Sequence, residues 1–230
     1  MAFKFRLPKN SERVSVLGKT GSGKTQAAVW QLSQRDFNHM PWIVYDFKLD
    51  PLINSIDGVE HLELSDPLPK QPGIYLVHPH PDDIDGVRDQ MWKIWEAENT
   101  GVYIDEGYMV CGPDKRNPAF RSLLTQGRSK RIPMMVLSQR PVWLDRFAFS
   151  ESEYYQVFSL NDARDRASVR AFVPADLDQR LPDYHSYWYD VPADKVVVLQ
   201  PVPGKDAILG AFAAKFELMK QQNTKRFTFI

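Results

Sequence analysis

Eight consecutive residues, Gly18-Lys19-Thr20-Gly21-Ser22-Gly23-Lys24-Thr25, match the pattern G-x-x-x-x-G-K-[ST] in full. Glycines at 18, 21 and 23 let the main chain curl around a phosphate with no Cβ in the way. The N–H groups of such a loop, with the N-terminus of the helix that follows, converge on an anion. Lys24 offers a point charge to β- and γ-phosphates, and the Thr25 hydroxyl is placed to ligate Mg²⁺. A coincidental Gly-rich turn is the bland reading. Against it stand the apolar run 14–17 before the loop and the helical pattern after it.

A phosphate loop needs a carboxylate at the end of a neighbouring strand. The run Gly101-Val102-Tyr103-Ile104 ends in Asp105 and Glu106. Asp105 is expected in the metal's outer sphere, and Glu106, pointing the other way, as the general base that polarises an attacking water. Two solvated acids at a strand end are the alternative. A third apolar run, 133–137, ends in Ser138 and Gln139, so that Gln139 would sense the γ-phosphate by hydrogen bonding. Arg128 and Arg131 precede this run, at its opposite end. They are open to two readings: solvated surface, or an arginine finger reaching a neighbour's nucleotide in a ring.

The elements that must position these residues form an alternation of short apolar runs and helical patterns, the signature of parallel β-α-β units. Strands are expected at 13–17, 42–46, 74–77, 102–104, 133–137 and 155–158, and helices at 25–34, 85–98 and 118–126. The strands are apolar without alternation, as when both faces are covered. Beyond residue 158 the texture shifts to a charged helix at 161–171, a strand pair at 186–190 and 196–199, and a last helix at 206–222. In that helix Ile208, Phe212 and Phe216 form a stripe read as core packing, and Trp92 and Trp95 are likewise assigned to the core. The expected organisation is a core over 1–175 and an extension over 176–230 packed on it.

Composition excludes several classes. The 230 residues carry 29 basic and 29 acidic side chains, which speaks against binding nucleic acid through bulk charge. The balance is nonetheless segregated. Residues 1–35 hold seven basic groups and one acid, 114–131 hold six and one, and 82–106 hold two and eight. Cys111 is the only cysteine, so an intramolecular disulfide scaffold is excluded and the thiol is read as structural. His78-X-His80 has metal-ligand spacing, but no Cys or third His accompanies it, and it is read as part of a structural loop. No run has signal-peptide or membrane-span character, so a protein neither secreted nor inserted in a membrane is expected.

Together with Asp46-Phe47-Lys48 after the second run, the phosphate loop, the Asp105-Glu106 pair, Gln126-Gly127-Arg128 and Ser138-Gln139-Arg140-Pro141 resemble the HerA/FtsK superfamily of P-loop ATPases, especially its viral and phage genome-packaging members. The resemblance covers about residues 13–175. It implies an α/β fold of the P-loop NTPase (ASCE/RecA-like) type: a mostly parallel sheet flanked by helices, here with a small C-terminal α+β extension. It also implies ATP hydrolysis with Mg²⁺, a homo-oligomeric ring (hexamer or pentamer), and movement of double-stranded DNA. By the resemblance Glu106 is the catalytic carboxylate, Gln139 the sensor and Arg128 the leading finger. A capsid vertex or portal component would be a further partner, with the protein virion-associated or in the host cytoplasm. The chain lacks the N-terminal barrel of the HerA helicases and the membrane and winged-helix regions of the FtsK pumps, which favours a packaging motor. Two other readings stand beside it: a zonular-occludens-toxin-like assembly ATPase of filamentous phages, and a nucleotide-regulated binding module with little turnover. For the DNA-contacting loop the candidates are Lys115 and Arg116, then Arg164, Arg166 and Arg170.

Overall fold

A computed structural model describes residues 6–112 and 116–227, with side chains described through residue 221. In chain order the elements are β1 (Val14–Leu17), α1 (Lys24–Ser33), β2 (Pro41–Tyr45), β3 (Glu60–His61), β4 (Gly73–Val77), α2 (Ile84–Ala97), β5 (Gly101–Ile104), α3 (Gly107–Val110), α4 (Pro118–Gln126), β6 (Met134–Ser138), α5 (Phe147–Ser150), β7 (Tyr154–Val157), α6 (Ala163–Arg170), β8 (Ser186–Asp190), β9 (Lys195–Leu199) and α7 (Lys205–Phe227). The strands form one sheet in the order β3-β4-β2-β5-β6-β1-β7-β8-β9. All pairings are parallel except β7 with β8 and β8 with β9.

Alternation along the strands divides the core in two. On β2, Ile43 and Tyr45 join one apolar cluster, with Val87, Met91 and Ile94 of α2 and Phe120 and Leu123 of α4. Trp42 and Val44 join the other, with Ala27, Ala28 and Leu32 of α1 and Ile208 and Phe212 of α7. Because both faces are covered, β1, β2, β4, β5, β6 and β7 are buried at every residue. Asp83 and Asn117 cap α2 and α4 by accepting from the main-chain N–H groups of Gly86 and Phe120 at 2.9 and 3.0 Å.

Trp92 and Trp95 do not enter the core. Both are half-buried at its rim, in edge contact with each other, and Trp95 is covered by the Lys130 ammonium and donates to Gln126 Oε1. An indole N–H is more cheaply satisfied at an edge than inside apolar packing.

Candidate functional site

Sheet order does what the spacing of motifs could not: it sets β6 between β1 and β5. Leu17 is level with Ser138, and Ile104 with Val136. The phosphate loop, Asp105-Glu106 and Gln139 therefore leave three adjacent parallel strands at their C-terminal ends. The loop is tied there by main-chain bonds from Gly18 N–H to Ser138 and from Lys19 N–H to Ser159, at 3.2 and 3.0 Å.

Gly18 packs so closely that a Cβ would lie 2.7 Å from both Phe158 Cβ and Ser22 Oγ. Gly23 takes a φ of 90°, the left-handed region, to turn the loop into α1. No side chain caps α1, in contrast to α2, α4 and α6. Its first N–H groups are thus left for a ligand. Ser22 Oγ is buried in the loop with no hydrogen-bond partner among the described residues. Lys24 is buried too, and burial, helped by Lys48, lowers its pKa against the pull of Glu106, Asp105 and Asp50. A buried ammonium in the first turn of an uncapped helix suits a polyanion.

Asp105 and Glu106 are both buried. Thr25 Oγ1 lies 3.5 Å from Asp105 Oδ1. The sequence suggests that Glu106 points away from Asp105, but both carboxylates meet at Lys48: its Nζ is 2.5 Å from Glu106 Oε2 and 3.5 Å from Asp105 Oδ2. The chain leaves β5 at Ile104 and turns through Glu106, the N-cap of α3, so strict alternation no longer holds. Burial works against the charge on Lys48, but Asp105 and Glu106 outweigh it and its pKa is raised. The other carboxylate oxygen of Glu106 accepts from Gln139 N–H at 3.0 Å.

Lys48 is the residue that motif spacing undervalues. It enters the site because β2 neighbours β5 and because Asp46, fully buried at the end of β2, organises the loop that carries it. Asp46 accepts from the N–H groups of Lys48 and Asp50 and from Asn54 Nδ2. Burial raises the Asp46 pKa, with these main-chain bonds opposing. A second unforeseen contact joins the loop to the third strand: Thr20 Oγ1 donates to Gln139 Oε1 at 2.8 Å. Beyond Gln139, Arg140 pairs with Asp162 at 2.9 Å and Asp165 at 3.0 Å and lies over the Trp143 ring. The strand end is thereby bound to α6.

Arg128 and Arg131 are exposed in the turn before β6, at the other end of the sheet. Arg116 is exposed, whereas Lys115 lies outside the described residues. Arg166 and Arg170 share Asp178, and Arg164 pairs with Asp162. Cys111 is buried, its Sγ 3.3 Å from Asp145, and burial pushes its pKa up to about 11, which makes it a poor nucleophile. His78 faces Asp46 at 3.7 Å and His80 is exposed.

A three-layer α/β sheet with an uncapped Gly-rich loop, a buried Asp-Glu pair and a strand-end glutamine defines a P-loop NTPase. The chain belongs to the family of phage DNA packaging ATPases: over 228 residues, 94% of this chain and 97% of the relative, it is 50% identical to the DNA packaging ATPase P9 of Enterobacteria phage PRD1. No protein-family model matches the chain. The genome packaging NTPase B204 of Sulfolobus turreted icosahedral virus 2, solved with AMPPCP, shares the fold at a TM-score of 0.68 and 18% identity, over 85% of this chain and 100% of that one. EssC (ATPases 2 and 3) of Geobacillus thermodenitrificans aligns at 0.61 and 13% identity, over 92% of this chain and 45% of its own. No helix among the described residues is long and apolar enough to cross a membrane.

Proposed function

We propose that the chain is the ATP-hydrolysing subunit of a motor that drives double-stranded DNA into a viral capsid, acting as a homo-oligomeric ring. The observation that carries this reading is the convergence of Lys24, Thr25, Asp105, Glu106 and Gln139 at the ends of three neighbouring strands, in a chain half identical to a phage packaging ATPase.

ATP would lie with its phosphates along residues 18–25, the β- and γ-phosphates at Lys24 and the main-chain N–H groups. Oxygen donors suit a hard cation, and the Thr25 hydroxyl and the Asp105 carboxylate would hold Mg²⁺, Asp105 in its outer sphere. Bound there, Mg²⁺ supplies positive charge to the phosphate oxygens. Glu106 orients the attacking water and accepts its proton. Both of its oxygens are engaged in this structure, by Lys48 and by Gln139 N–H. Each oxygen keeps a second lone pair for the water, and the contact to Gln139 N–H ties the base to the strand end that carries the γ-phosphate sensor.

Replacing Lys24 by alanine removes the buried charge that meets the phosphates. ATP affinity is expected to fall by about ten- to a hundred-fold, the worth of a charge-assisted hydrogen bond, read by calorimetric titration.

The motor reading is tested by steady-state ATPase activity against protein concentration, with and without duplex DNA. Specific activity is expected to rise with concentration and again with DNA, because neither candidate finger lies on the nucleotide side of its own sheet. Turnover independent of both would overturn the ring reading.

A further inference from the structure

Asp105 and Glu106 are neighbours in the chain and both buried, so their charges oppose each other where little water screens them. Asp105 Oδ1 and one Glu106 oxygen face Thr25 Oγ1 and Gln139 N–H, the parts that serve the nucleotide. The other two oxygens, Asp105 Oδ2 and Glu106 Oε2, have no hydrogen-bond partner among the described residues, and both face the Lys48 ammonium, at 3.5 and 2.5 Å. Among the described residues no other side-chain cation lies within ion-pair distance of either acid. Without that ammonium, repulsion from Asp105 and the free torsions of the Glu106 side chain would let its carboxylate swing.

Lys48 is itself held in place. Fully buried Asp46 gathers the N–H groups of Lys48 and Asp50 and the Asn54 amide. The loop then passes through Leu49 at a φ of 53°, a left-handed conformation that a residue with a Cβ seldom adopts. Such a backbone persists where its surroundings fix it, and here they fix the root of the Lys48 side chain. In the sheet, β5 and β6 stand between β2 and β1. Lys48 therefore comes to the acids from the strand on the side away from the phosphate loop, where Lys24 already supplies a cation.

We propose that Lys48 is a positioning residue for hydrolysis: its ammonium, delivered by the loop that Asp46 organises, fixes one oxygen of Glu106 while Gln139 N–H fixes the other. The proposal rests on the reading of Glu106 as the base. It gives the segment after β2 a part in the chemical step, acting through Glu106 and not on the nucleotide.

The test uses the full chain with duplex DNA, and compares wild type with Lys48→Ala, Lys48→Met, Lys48→Arg, Glu106→Gln and the double variant Lys48→Ala/Glu106→Gln. Single-turnover hydrolysis of ATP reports the chemical step, and calorimetric titration with the non-hydrolysable analogue AMPPCP reports binding. Lys48→Ala should slow hydrolysis by about ten- to a hundred-fold, as a small misplacement of a reacting group does, with AMPPCP affinity kept within about three-fold. Lys48→Met keeps the stem, loses the charge and should behave alike, so the result stands if Lys48→Ala folds poorly. Lys48→Arg, which keeps the charge, should lose less than either. In the Glu106→Gln background, Lys48→Ala should cost little more, because a residue that acts through the base is silent once the base is gone. Hydrolysis unchanged in both charge-free variants would overturn the proposal. So would a loss of AMPPCP affinity as large as the loss of rate, or the full single-variant loss recurring in the double variant. Wild-type hydrolysis by Glu106→Gln would instead overturn the base assignment beneath it.

Discussion

Replacing Glu106 by glutamine is expected to leave ATP bound and unhydrolysed, with turnover lower by about 10²- to 10⁴-fold, the usual contribution of a positioned general base. The substitution keeps the shape and can still accept from Gln139 N–H, so the buried pocket at the end of β5 should survive. It removes the negative charge that Lys48 meets at 2.5 Å and the basicity that a water needs. Affinity for ATP should hold or rise, since Lys24, Thr25 and the loop are untouched. Rapid-quench kinetics with a parallel ATP titration separate the two effects. A binding module with little turnover would show no such separation, because its output would be the same with either residue at 106.

The larger expected loss follows Arg128→Ala. Arg128 leaves the chain in a tight turn, closed by Ile132 N–H to the Gly127 carbonyl at 2.8 Å and followed by Arg131 at a φ of 55°. Of the ten residues between it and Gln139, the five of β6 alone span about 16 Å of strand. An arginine side chain does not span that length, so Arg128 is out of reach of its own chain's nucleotide and any finger role would have to be in trans. If it stabilises the charge spread over the transferring γ-phosphoryl group, its removal should lower the DNA-stimulated rate by about 10³- to 10⁵-fold, as for trans fingers elsewhere. ATP binding by the isolated subunit should not change. Mixing Arg128→Ala subunits with Glu106→Gln subunits supplies the sharper readout. Each mutant lacks a part that the other carries, so mixed rings should recover activity that neither has alone. Absence of rescue, with full activity in Arg128→Ala, would return Arg128 to solvated surface and leave Arg131 to the same test.

Much of the sheet is legible in the sequence because its strands are buried on both faces and so read as unbroken apolar runs. β1, β5 and β6 are found within a residue of their ends, and the residues that follow each of them carry the chemistry. β3 leaves no signal, being only Glu60 and His61, both exposed. α3 and α5 are four residues each, too short for any helical period to show. Within the site, the phosphate loop and the acidic pair are visible as local patterns. Lys48 is visible only within Asp46-Phe47-Lys48 and without a role, because its meeting with Glu106 depends on β2 lying beside β5, a pairing between distant segments. Pointing Glu106 away from Asp105 fails for a local reason: a strand's alternation ends where its hydrogen bonds end.

The central claim is that hydrolysis at Glu106 drives the movement of DNA. It is tested most directly by following ATP-dependent uptake of duplex DNA into empty capsids, with wild type and with Glu106→Gln side by side. The account predicts nuclease-protected DNA with wild type, and none with a Glu106→Gln protein that still binds both ATP and DNA. Packaging by Glu106→Gln at the wild-type rate would contradict it.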